Sequence, residues 1–189
     1  MFLNRIKLIL ESTGTIVMDT NRWSEWINSS FCLAQIEPFM IIDAQGLGML
    51  DAELVEEYAN LNAKYQSEQD LLKRNRHFVV SRLWVIGAYE LVRSIDERIE
   101  KINDRIGDET RKKLAETLTN FTKLRIPLAK FQTSGKKERQ IARPIWFPSM
   151  GVGWKLENDL IFSRKNLGDS LLELLNLLNR DISAKDKIT

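Results

Sequence analysis

An apolar pattern with helical spacing, between about Ser67 and Ile106, constrains the fold more than any other feature of this sequence. When Trp84 is placed at zero and each residue adds 100°, one set of apolar residues falls within about 60° of it. Other apolar residues cover a second sector, so the helix around Trp84 is apolar on nearly all sides. Such a helix is typical of the centre of a bundle, or of a surface that also faces a partner subunit. The first set is Val80, Ala88, Leu91, Ile95, Ile99 and Ile102, and the second is Phe78, Val85, Ile86 and Tyr89.

A second helix with the same spacing is predicted to follow Gly107, with Asp108 as its cap. Its apolar residues recur at spacings of three and four as far as Phe131, and Pro127 should bend or end it. Because the connection is short, we expect the two helices to pack as a long antiparallel hairpin over about residues 70–131. The apolar residues of this second helix are Leu114, Leu118, Phe121, Leu124, Leu128 and Phe131.

Residues 1–48 have a less regular pattern and are expected to form an N-terminal helical and irregular segment. A helix that carries two tryptophans should end before Pro38, because proline disfavours helix in the residue before it. The run Gly46-Leu47-Gly48 predicts a turn. Asp51 is then a suitable N-cap for an acidic helix over about residues 52–65.

The last third of the chain changes character. Residues 132–140 are polar and predict a loop, and two short apolar runs predict a small β-hairpin over about residues 152–162. Ser163 or Asn166 should cap a closing helix whose apolar face is rich in leucine.

These elements predict a mainly α fold: a helical bundle around the long antiparallel hairpin, with the β-hairpin before the C-terminal helix. We expect a single domain over residues 1–189. Its parts are the N-terminal segment (1–48), a helical core (51–131), and a last part with a basic loop, the β-hairpin and the closing helix (132–189).

The chemistry that the sequence lacks excludes several classes of protein. One cysteine, Cys32, excludes an intramolecular disulfide, and one cysteine with one histidine, His77, excludes Cys/His zinc sites. No glycine-rich phosphate loop or nucleophile motif is present, and the acidic helix residues are more simply explained as a solvated face than as a metal site. We therefore predict no catalytic residue, no metal and no cofactor.

Charge is segregated along the chain, although the net charge is only +2. Residues 43–70 hold one basic and seven acidic side chains, and residues 123–143 hold seven basic and one acidic. Either these two segments neutralise each other, or the basic one binds an anion such as a nucleic acid. The candidate anion-binding residues are Lys123, Arg125, Lys130, Lys136, Lys137, Arg139 and Arg143.

Two of the basic side chains have a second, structural interpretation. Arg125 falls among apolar positions of its helix, where a structural ion pair with Glu90 or Asp96 is the favoured explanation. His77, with Arg74 and Arg76, forms a possible polar site. A buried, hydrogen-bonded histidine is the favoured interpretation of His77, and a ribonuclease role is the least supported because the required arginine spacing is missing.

For function, we expect a non-enzymatic helical interaction or accessory protein that self-associates, or binds a protein partner, through the strongly apolar long helix. The alternative is a protein that binds RNA or single-stranded DNA with residues 123–143. We expect a cytoplasmic protein without membrane association, because the longest apolar run is far shorter than the ~20 residues that span a bilayer.

Overall fold

The computed structural model describes residues 18–62, 68–129, 142–156 and 159–186. These residues form five α-helices, two 3₁₀ helices and three strands. The N-terminal half comprises α1 (Thr20–Ser30), a 3₁₀ helix (Phe31–Gln35), α2 (Met40–Asn62), α3 (Glu68–Arg98) and a second 3₁₀ helix (Ile99–Arg105). The remainder comprises α4 (Asp108–Ala129), β1 (Arg143–Phe147), β2 (Gly151–Lys155), β3 (Ile161–Ser163) and α5 (Arg164–Asp186).

The predicted mainly α fold, built on a long helical hairpin, is confirmed. α3 and the 3₁₀ helix that continues it pack antiparallel to α4: the Arg82 guanidinium donates to the carbonyl of Leu128 near one end of the pair. The Trp84 and Phe121 rings lie 6.1 Å apart between the two helices. Pro127 lies inside α4, which continues for two residues beyond it to Ala129.

The core lies where the apolar faces of the five helices meet. The spacing that indicates α3 and α5 in the sequence is also the spacing of their buried residues, because residues three and four apart share one helix face. The largest fully buried side chains include Trp26, Trp84, Phe121, Leu124, Leu171 and Leu175.

The predicted turn at Gly46-Leu47-Gly48 is wrong, because α2 runs without interruption from Met40 through these residues. Gly48 is explained by packing: a Cβ on this residue would lie 2.4 Å from the Cβ of Trp26 on α1. Asp51 is consequently not an N-cap, but lies in the middle of α2 and is fully buried.

The small sheet has three strands in the order β1-β2-β3, all antiparallel. The predicted hairpin corresponds to β2 and β3, and β1 is an additional strand that pairs Ile145 with Gly153. A Cβ on Gly153 would lie 2.4 Å from both the Phe147 ring and the Phe162 carbonyl oxygen, so this strand position requires glycine. β3 leads directly into α5, where Ser163 Oγ accepts a hydrogen bond from the Asn166 amide, which confirms Ser163 as a cap.

Candidate functional site

The predicted polar residues Arg74, Arg76 and His77 lie on α3, where it packs against α2. His77 Nδ1 is 3.0 Å from Glu57 Oε2, and Arg76 pairs with Glu53 at 2.8 Å and with Glu57 at 3.2 Å. Burial raises the pKa of Glu57, but the hydrogen bond from His77 and the charges of His77 and Arg76 outweigh it, so the pKa of Glu57 lies below its usual range. The acidic face of α2 is therefore neutralised here by α3.

Trp146 of β1 closes the other side of this cluster. Its ring centroid is 5.5 Å from that of His77 and 5.8 Å from that of Tyr58, and the Arg74 guanidinium lies 4.9 Å from its centre. The Tyr58 hydroxyl donates to the carbonyl of Pro148, just beyond β1. The His77 side chain is buried between α2, α3 and the sheet and is hydrogen-bonded to Glu57, as the favoured interpretation of this residue expects.

A second cluster, built around Asp51, is one that the sequence did not reveal. The Asp51 carboxylate accepts hydrogen bonds from Trp26 Nε1 at 2.9 Å and from the guanidinium groups of Arg22 and Arg164. Burial lowers the pKa of Arg164, although Asp51 opposes that shift. Arg22 also pairs with Asp169 of α5 at 2.7 Å. The cluster thus joins α1, α2 and α5 through buried charge.

The predicted anion-binding residues are only partly described. Lys123 is exposed on α4, and Arg143 is exposed at the start of β1. Arg125 pairs with Glu90 at 3.5 Å and lies over the Tyr89 ring, but it is half-exposed and not in the core. Lys130, Lys136, Lys137 and Arg139 lie outside the described residues. Anion binding by this set stays a prediction.

Between α1 and α5 lies a groove of about 400 Å³ with a leucine floor and charged sides. Arg22 and Arg180 line it, but both are already paired with carboxylates of this chain: Arg22 with Asp51 and Asp169, and Arg180 with Glu109 and Asp181. The groove therefore presents arginines whose charge is already balanced.

The outward face of α3 carries large apolar side chains that the bundle does not cover. Leu72, Val79 and Leu83, which we call the α3 apolar face, are 64%, 58% and 62% exposed. They share one side of the helix because their spacings are seven and four residues. Further along α3 the same side carries Arg93, which forms ion pairs with both Glu90 and Glu97. The exposed apolar character is therefore confined to the first half of α3.

No protein-family model matches this chain, and neither the curated proteins nor the solved structures give a match. Within the described residues, no group of three or more His, Cys, Asp or Glu side chains is arranged to hold a metal ion. The same part of the chain has no helix that is both long and apolar enough to span a membrane. Function is therefore inferred from the surfaces that the fold presents.

Proposed function

We propose that the protein is a non-enzymatic interaction protein that self-associates or binds a protein partner, and that the α3 apolar face forms this contact. The observation that carries this proposal is the exposure of Leu72, Val79 and Leu83 on one side of a helix. Full burial of each would contribute roughly 1–2 kcal/mol, since more than half of each side chain is exposed. Apolar groups in such an arrangement are typical of helix-mediated protein recognition.

The test is the size of the complex that the protein forms in the cell that makes it. Wild-type protein, followed by an antibody through size-exclusion chromatography of a cell extract, should elute well above the 22.0 kDa of one chain. The double variant Leu72→Glu/Leu83→Glu should elute later, as a smaller species, because two charges would have to be buried at the contact. Both residues are exposed and glutamate favours helix, so the variant should keep its melting temperature.

Lys112→Glu is the matched control, because Lys112 is exposed on α4 and outside the α3 apolar face. It should elute with the wild type. Identical elution of the wild type and the double variant would contradict a role of the α3 apolar face in binding the partner.

A second candidate function, binding of RNA or single-stranded DNA, is favoured by one observation about charge. The buried and half-buried carboxylates of α2 are paired with cations from α1, α3 and α5: Asp51 with Arg22 and Arg164, and Glu57 with Arg76. Among the described basic residues of 123–143, none of Lys123, Arg125 and Arg143 forms an ion pair with α2, and Arg125 pairs with Glu90 of α3.

Titration of a fluorescent single-stranded RNA tests this second candidate. Affinity should fall steeply with salt, with a slope of about −0.7 for each phosphate contacted. The variant Lys136→Glu/Lys137→Glu should bind more weakly and with a shallower slope, while Lys112→Glu serves as the control. Equal affinity of the double variant and the wild type would eliminate this function.

A further inference from the structure

α2 carries an exposed apolar surface on the side that faces away from the core. Phe39, Ile42 and Met49, which we call the α2 apolar face, follow one another at spacings of three and seven residues. Phe39 is 76% and Ile42 69% exposed, the two highest values among the large apolar side chains that the structure describes. A Cβ on Gly46, which lies between Ile42 and Met49, would meet no described atom within 4 Å. The described part of the chain therefore leaves this side of α2 uncovered.

A carboxylate lies on each edge of the α2 apolar face. α2 holds five acidic side chains and no basic one, and three of the five pair with arginines of α1, α3 and α5: Asp51, Glu53 and Glu57. The other two, Asp43 and Glu56, form no ion pair within the described residues. At 100° per residue, Asp43 lies about 40° beyond Phe39 and Glu56 about 20° beyond Met49 on the opposite edge. This surface therefore suits an apolar partner that carries positive charge.

The chain enters α1 beside this surface. The Asp19 amide donates to the carbonyl of Ala52 at 3.3 Å, and the Met18 side chain before it is buried. Ala52 follows Met49 by three residues, so the two lie one turn apart on neighbouring parts of α2. Ile42 is about 15 Å further back along the helix, and six extended residues span up to about 20 Å. Residues 1–17, which precede the described part of the chain, are thus tethered within reach of the α2 apolar face.

The sequence of residues 1–17 has the complementary pattern. When Phe2 is placed at zero and each residue adds 100°, an apolar stripe about 120° wide contains Phe2, Leu3, Ile6, Ile9 and Leu10. Arg5 lies about 40° beyond one edge of the stripe and Lys7 about 40° beyond the other, while Leu8 falls outside it. A stripe with a cation on each edge matches a face with a carboxylate on each edge.

We propose that residues 1–17 bind the α2 apolar face of their own chain as an amphipathic helix, with Arg5 and Lys7 beside the carboxylates of Asp43 and Glu56. The inference goes beyond the proposed function, because it concerns a different helix and leaves the α3 apolar face open to a partner.

Two arguments favour this occupant over a second copy of the chain. A symmetric dimer on the α2 apolar face would bring two copies of Asp43 towards each other, and like charges oppose such a contact. A stable interface between free chains also buries about 800 Å² on each partner, which is more than three side chains supply. A tethered segment needs a smaller contact, because a short linker gives it an effective concentration of about millimolar.

Hydrogen exchange of the full chain, followed by mass spectrometry at about 1 and 50 µM, tests this inference. In the wild type, the amides of residues 4–11 should exchange at least tenfold more slowly than in Ile42→Glu, because the variant places a charge under the bound segment. The protection should be equal at both concentrations, since the contact lies within one chain. Peptides from α4 and α5 should exchange alike in both proteins, which shows that the bundle of the variant is folded.

Two further variants separate the charge and the location of the contact. Asp43→Lys should speed the exchange of residues 4–11 about two- to fivefold, the range for loss of an exposed ion pair. Leu83→Glu is the matched control, because it makes the same kind of change at a similarly exposed position on α3, and it should have no effect.

The inference is overturned if residues 4–11 are unprotected in the wild type, or if Ile42→Glu leaves their protection unchanged. Protection that rises with concentration would also overturn it, because the segment bound to α2 would then come from a second copy. An equal loss of protection in Leu83→Glu would refute the assignment to α2.

Discussion

Replacement of Asp51 by asparagine should destabilise the fold strongly, because it leaves a buried arginine without its counter-charge. Asp51 is fully buried, and Arg164, its partner at the start of α5, is 3% exposed. Asparagine keeps the shape of the side chain and can still accept the hydrogen bond from Trp26. Asp51→Asn therefore isolates the effect of the charge.

The expected loss is about 3–5 kcal/mol of unfolding free energy, the range for removal of one partner of a buried ion pair. This is a large share of the roughly 5–15 kcal/mol that stabilises a typical domain. Asp51→Asn/Arg164→Met removes both fully buried charges, keeps an acceptor for Trp26 and leaves Arg22 paired with Asp169, so it should cost clearly less than Asp51→Asn alone. Asp169→Asn, at a carboxylate whose side chain is 42% exposed, should cost only about 0–1 kcal/mol.

Urea unfolding, followed by tryptophan fluorescence and by circular dichroism, measures these differences. If Asp51→Asn costs less than about 1 kcal/mol, or no more than Asp169→Asn, then Asp51 does not hold the helices together through its charge. A double variant less stable than Asp51→Asn would also refute the reasoning, since it would show that the Arg164 side chain stabilises the fold without Asp51.

Two further results follow from buried groups elsewhere in the fold. Burial raises the pKa of the Cys32 thiol to about 12. A thiol-specific reagent at pH 8 should therefore label Cys32 only after the protein unfolds. Rapid labelling of the native protein would contradict the burial of this side chain. The pKa of Asp181 is lowered, because hydrogen bonds from Thr110 and the Gly107 amide outweigh burial, which would raise it. A carboxyl group whose folded pKa is depressed stabilises the protein above its unfolded pKa, and this contribution is lost as pH falls through the folded pKa. Asp181→Asn should therefore lower the melting temperature at pH 7 and flatten its fall below about pH 4, the unfolded pKa of an aspartate; an unchanged pH profile would contradict it.

The long hairpin could be predicted because its signal is local. The apolar residues around Trp84 and along α4 recur over consecutive helical turns, and Gly107 separates the two helices. The start of α2 could not be predicted in the same way. When only its sequence neighbours are considered, Gly48 looks like part of a turn. A glycine is needed there because the Trp26 side chain, on another helix, leaves no room for a Cβ.

The candidate sites show the same dependence on distant partners. The local sequence around Asp51 suggests a helix cap. Its actual partner, Arg164, lies 113 residues further along the chain, so no local pattern indicates the buried ion pair. His77 is buried and hydrogen-bonded, as its favoured interpretation expects, but its partner Glu57 lies 20 residues earlier in the chain, where no local pattern points to it. β1 was not among the predicted elements, and its pairing with β2 depends on a register that no local pattern specifies.

The central claim, that the α3 apolar face binds a protein partner, is tested most directly by a photo-crosslinking amino acid placed at Val79 in the intact cell. Val79 lies between Leu72 and Leu83 on that face, and the same amino acid at Lys112 is the control. We expect Val79 to give a discrete crosslinked protein that is absent at Lys112 and is lost when Leu72 and Leu83 are both changed to glutamate. Crosslinking at Val79 that is no stronger than at Lys112 would contradict the claim.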